Sequence, residues 1–107
     1  MLSRSHRLGK DAEFSRVMEA GTKVKIGPLL FFHVKNTEPI RFGVVVSKKV
    51  SKKAVDRNYL RRLILEIMAG VLKEKSLTGN GVAVVLYQSE NPKADFEAAI
   101  NKWVEKL

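Results

Sequence analysis

Seven of the chain's 20 lysines and arginines stand within residues 48–62: Lys48, Lys49, Lys52, Lys53, Arg57, Arg61 and Arg62. The same stretch, KKVSKKAVDRNYLRR, holds one acid, Asp56, so seven minus one gives six of the chain's nine net positive charges. Charge this dense repels itself, and a polyanion relieves it, because each phosphate contacted releases a condensed counterion. The arrangement says more than the count. An apolar run, residues 42–46, precedes the cluster and an apolar-periodic helix follows it. A basic tail would not be anchored at both ends. Fixed lysines and arginines grip phosphates without reading sequence, and arginine adds a planar, multi-donor head that lysine lacks.

Catalytic chemistry by the protein itself is not legible. The two histidines are His6, expected in a mobile N-terminus, and His33, expected at a partly exposed strand position. No HxxxH or HExxH spacing and no glycine-rich phosphate loop occurs. The acids are scattered, with no close pair to suggest a two-metal centre. Cysteine is absent. That removes disulfides, thiolate metal sites and cysteine nucleophiles, and fits a reducing cytoplasm.

At 107 residues the chain is read as one domain, 1–107, and 45% hydrophobic residues suffice for a core. No apolar run approaches the ~20 residues that span a bilayer. The first residues, MLSRSHRLGKD, carry charge with no apolar stretch behind them, unlike a secretory signal. A membrane surface is the weaker partner, since the basic helix lacks bulky aromatics opposite its charges. Nucleic acid is the better fit to a pI near 10.0 with the charge in one place.

The elements that must position the cluster read as follows. Asp11 caps a first helix with Glu13 in its first turn; Phe14, Val17 and Met18 share a face, and Gly21 stops it. Thr22–Ile26 is a short strand, Gly27-Pro28 a break and residues 29–34 a strand. Thr37-Glu38-Pro39 is a turn and residues 41–47 the next strand, which most simply pairs with its predecessor as an antiparallel hairpin. By alternation Phe32 shares a face with Leu30 and Val34, opposite Phe31 and His33. Ser51 caps a second helix with Leu60, Leu63, Ile64, Ile67 and Val71 at helical spacing. Arg57 and Arg61 share one face of it, with Asn58 and Arg62 beside them. Gly70 marks a point where it frays or ends. Residues 78–81 are a loop and residues 82–87 a buried strand. Asn91 and Pro92 open a last helix with the stripe Phe96, Ile100, Trp103, Val104, Leu107. The order α-β-β-β-α-β-α implies helices packed on one sheet.

RFGVVVSKKVSKKAVDRNYLRRLILE resembles the central segment of the bacterial ribonuclease P protein subunit. The matching positions are Ser47, Lys48, Lys49, Lys53, Ala54, Val55, Arg57, Asn58, Arg61, Arg62 and Glu66. Arg7-Leu8, Phe14, Val17 and Gly21 are also similar to the family, and the resemblance runs from about Arg7 to Trp103. Three positions depart from it: Tyr59 and Leu65 stand where arginines are usual, and Met18 where a second aromatic often stands. By helical spacing Leu65 falls near the middle of the basic face and shortens it.

The resemblance implies an α/β, two-layer α-β sandwich with a left-handed β-α-β crossover, the ribosomal protein S5 domain 2-like arrangement. Sequence rules alone favour the right-handed hand. It implies a subunit of an endonucleolytic enzyme whose catalytic RNA, with Mg2+ bound mainly by that RNA, removes the 5′ leader of precursor tRNA. The implied partners are ribonuclease P RNA, met by Lys48, Lys49, Lys52, Lys53, Arg57, Asn58, Arg61 and Arg62, and the single-stranded leader, met in a cleft by Phe14, Met18 and Phe32. No protein partner and no catalytic residue in this chain are expected. The rival readings are a ribosomal or other structured-RNA binding protein, a helix-turn-helix DNA binder, disfavoured because the basic helix follows strands, and a protein nuclease, for which no acid cluster is found.

Overall fold

The computed structural model describes residues 2–9 and 11–107. After a single 3₁₀ turn, Arg4–His6, come helix α1 (Asp11–Ala20), strands β1 (Thr22–Ile26), β2 (Leu29–Pro39) and β3 (Arg41–Val45), helix α2 (Ala54–Glu74), strand β4 (Thr78–Val85) and helix α3 (Pro92–Lys106). The element order is the expected one. Gly21 ends α1, its N–H donating to the Val17 carbonyl at 2.8 Å.

The expected pairing of β2 with β3 does not occur. The sheet order is β1-β2-β4-β3, so β4 inserts between them, antiparallel to β2 and parallel to β3. The β2–β4 register shifts between Val34 and Pro39, where the Thr37-Glu38-Pro39 turn was expected. Those three residues belong to β2, and the chain passes the start of β4 at Pro39, paired with Thr78, and Ile40, whose N–H donates to the Leu77 carbonyl at 2.9 Å. The shared pairing of β3 and β4 makes β3-α2-β4 a parallel crossover connection.

β4 also begins earlier than expected, because Thr78-Gly79-Asn80-Gly81 belongs to it and not to a loop. Its glycines mark close approaches rather than a turn. A Cβ on Gly81 would stand 2.9 Å from the indole of Trp103, and one on Gly79, whose φ is +95°, would strike the Val34 carbonyl.

One face of the sheet is covered by α2 and α3, and the other only in part, by α1. Leu29 and Phe31 point to the layer made by α2 and α3, a core that includes Phe42, Ile64, Met68, Phe96, Ile100 and Trp103. Trp103 stacks on Phe31 with centroids 4.7 Å apart and lies tilted against Phe42 at 5.8 Å. The expected stripe of α3 is buried except Leu107, which is exposed. On the opposite face Leu8, Val17, Phe32 and Val82 form a smaller cluster under α1.

The N-terminal segment is docked rather than mobile. Leu2 is buried, Arg7 bridges Phe42, and His6 Nδ1 lies 2.8 Å from the Ile40 carbonyl. His33 is tied likewise, its Nε2 2.9 Å from the Thr78 carbonyl. A carbonyl only accepts, so each ring donates there.

α2 runs through Gly70 without a break. Packing of the flanking Met68, Val71 and Leu72 outweighs the intrinsic cost of glycine. Nothing lies within 4 Å of where a Gly70 Cβ would stand. Gly70→Ala is therefore expected to raise stability by about 1 kcal/mol, read as a higher urea midpoint at unchanged slope.

A candidate RNA interface

The basic cluster occupies the connection from β3 into α2. Lys48, Lys49, Lys52, Lys53, Asn58 and Arg62 are exposed, and Arg57 and Arg61 half-buried. The helix begins at Ala54 with Lys53 at the N-cap, so Ser51 is not the cap that was expected. Ser51 lies one turn earlier and closes the loop instead. Its hydroxyl donates to Asp56 Oδ2 at 3.0 Å and accepts from the Lys53 N–H at 3.3 Å. Arg57 Nη1 donates to the carbonyls of Ser51 at 2.9 Å and Lys52 at 3.0 Å. Asp56 and Arg57 thus pull the lysine loop onto the first helical turn. Arg61 Nη1 donates to Asn58 Oδ1 at 2.8 Å, which fixes both heads on the surface. A guanidinium has five N–H donors, so Arg57 and Arg61 each keep several for a phosphate.

Leu65 is not on the basic face. It is buried, 8% exposed, in the core between α2, α3 and the sheet. Arg57, Arg61 and Leu65 form one i, i+4 row beside the fully buried row Leu60, Ile64, Met68. The buried row runs along α2 from Leu60, and the flanking row is half-buried at Arg57 and Arg61 and covered at Leu65, so it passes from arginine to leucine. The basic face therefore ends at Arg62, because the flanking row is covered at Leu65. Beyond it the sign reverses: a groove of about 390 Å³ between α2 and α3 is lined by Glu66, Glu74, Glu97 and Lys93.

The second feature is the sheet face under α1. Phe14 lies against Gly43, where any Cβ would fall inside its ring. Arg41 Nη2 reaches Glu13 Oε2 at 3.1 Å and holds α1 to β3 on the same side. Of the residues expected here, Phe32 is buried at 8% exposure, Phe14 is half-buried and Met18 is exposed. Phe32 thus forms the floor, and Met18 the rim.

The register shows what else lies on that floor. Lys23, Phe32, Val82 and Gly43 are direct neighbours across the four strands, and so are Lys25, Leu30, Val84 and Val45. The first row is the one under α1. In the second, Leu30, Val84 and Val45 are only half-buried and Lys25 is exposed. This open apolar row with a lysine at one end was not found from sequence. Alternation puts Leu30 and Val45 on known faces, but nothing short of the strand order makes them neighbours of Val84. The row also ends near the basic cluster, because Val45 is three residues from Lys48, a reach of about 10 Å.

A partly open apolar row beside α1, on a strand that leads into a fixed cluster of cations, suits a protein that binds RNA. The family model for ribonuclease P matches residues 2–107, and the chain belongs to that family. It is 37% identical over 102 residues to the ribonuclease P protein component of Gluconacetobacter diazotrophicus, covering 94% of this chain and 85% of the relative. The corresponding component of Microcystis aeruginosa is 33% identical over 89 residues, covering 78% and 74%. Among solved structures, the RNase P protein of Staphylococcus aureus superposes with a TM-score of 0.76 at 23% identity, over 94% of each chain. That of Thermotoga maritima gives 0.76 at 20% identity, over 94% of this chain and 96% of the other. At these identities the likeness is one of fold. No helix among the described residues is long and apolar enough to cross a membrane.

Proposed function

We propose that this chain, a protein subunit of ribonuclease P and a partner of ribonuclease P RNA, holds the 5′ leader of precursor tRNA in the groove beside α1. The RNA subunit meets the cluster Lys48, Lys49, Lys52, Lys53, Arg57, Asn58, Arg61 and Arg62. The leader lies across Lys25, Leu30, Val84 and Val45, with Phe14 and Met18 at the wall and Phe32 beneath. The observation that carries this reading is the continuity of that open row with the basic junction. It offers unpaired bases an apolar platform and their phosphates a cationic exit. Among the described residues no group of three or more His, Asp or Glu stands together to hold a metal. In this proposal magnesium, which would supply the Lewis acid for phosphodiester hydrolysis, is held by RNA phosphates. Catalysis belongs to the RNA, and the chain's part is to bind and align, in the cytoplasm. A structured-RNA protein without a role in tRNA processing is not favoured, because the family and the relatives are ribonuclease P components.

The test is cleavage of a 5′-extended precursor tRNA by a bacterial ribonuclease P RNA at low magnesium, with and without this protein. Protein-dependent cleavage at the mature 5′ end is expected. Val84→Glu, which sets a carboxylate on the open row, is expected to weaken precursor binding about 5- to 150-fold, the worth of one stacked base. Binding of mature tRNA and of the RNA subunit should stay unchanged. Equal losses on precursor and mature tRNA would remove the leader from this groove.

A further inference from the structure

Two large apolar side chains stand in solvent at the start of the basic helix: Val55 is 77% exposed and Tyr59 52%. They are four residues apart, hence neighbours along one helix face. Arg62, one turn beyond Tyr59, is exposed, as are Lys52 and Lys53 just before the helix. Among the described residues no side chain hydrogen-bonds the Tyr59 hydroxyl. An apolar pair framed by cations suits a ligand with a flat uncharged face and a charged backbone, and an unpaired nucleotide has both. Tyrosine offers a large rigid plane at low conformational cost, but its neutral phenol releases no counterion. Its contribution must therefore come through stacking rather than phosphate contact.

We propose that Tyr59, backed by Val55, is a stacking platform for an unpaired nucleobase of ribonuclease P RNA, beside the arginines and lysines that take its phosphates. This rests on the reading that the basic helix faces that RNA. It divides the helix by chemistry: Arg57 and Arg61 on one side hold phosphates and the lysine loop, while Tyr59 on the outer side takes a base.

Binding of a bacterial ribonuclease P RNA at several salt concentrations tests it. Tyr59→Ala is expected to weaken binding about fivefold or more with the parent's salt slope. Tyr59→Phe should stay within twofold of the parent. Tyr59→Arg, which keeps a stacking plane and adds a charge, should retain affinity and steepen the slope by about one counterion. A second readout is photochemical. Trypsin releases Tyr59 in the peptide Asn58-Tyr59-Leu60-Arg61, in which it is the one aromatic. Ultraviolet irradiation of the complex should leave a nucleotide adduct on that peptide in the parent. If the parent binds and Tyr59→Ala binds equally well, or that peptide stays unmodified while others cross-link, the platform is overturned and the RNA reading stands. If the parent does not bind the RNA at all, both fall.

Discussion

Arg57→Ala is expected to weaken binding to ribonuclease P RNA about 10- to 150-fold, the range for loss of a hydrogen-bonded charge, and to flatten the salt slope by about one counterion. Two losses combine. The phosphate contact goes, and so does the tether from Nη1 to the carbonyls of Ser51 and Lys52. Lys52 and Lys53 ride on that loop, so freeing it makes their ordering part of the cost of binding. Arg57→Lys separates the two. An ammonium restores the charge, and with it the salt slope, but lacks the planar head that spans two carbonyls. Lysine is therefore expected to recover the slope and only part of the affinity, with faster hydrogen exchange at the Lys53 amide. Affinity and slope both unchanged in Arg57→Ala would remove this residue from the interface. The fold should survive, since the side chain is only half-buried.

Trp103→Ala is expected to cost about 3–5 kcal/mol of stability, a large part of the 5–15 kcal/mol typical of a domain. Trp103 is 2% exposed, stacked on Phe31 and packed against Phe42, and its indole fills the space left by Gly81. It thus joins α3 to three strands, β2, β3 and β4. Truncation empties the centre of the layer, and the glycine opposite has no side chain to move in. Urea melts followed by circular dichroism give the loss directly. A change under 1 kcal/mol would mean that α3 collapses onto the gap. RNA should partly restore folding, because a ligand that binds only the native state stabilises it by mass action.

Much of this protein was legible in the chain as a string. The basic cluster, its place between a strand and a helix, the element order and the family follow from residue types at short spacing. Local chemistry sets them: helix periodicity around Leu60 and Ile64, strand alternation through Phe31 and Phe32, and Pro92 at a helix start. The resemblance of residues 41–66 rests on the same local pattern.

Tertiary structure decided the rest. Strand order is a matter of long-range pairing, and β4 lies beside β3 although 32 residues separate Val45 from Thr78. No local rule sees that, and the shortest connection pointed to a hairpin instead. The open row of Leu30, Val84 and Val45 exists only because of that insertion. Helical spacing placed Leu65 beside Arg61 correctly, but not that this flanking row is covered at Leu65; its burial in the core between the helices and the sheet settles it. Glycines at positions 79 and 81 read locally as a turn, yet their absent side chains make room for Val34 and Trp103, partners distant in sequence. Where one residue's neighbours are its chain neighbours, sequence determined the outcome. Where a neighbour arrives from another element, packing did, because register and burial are properties of the assembled sheet and not of any one segment.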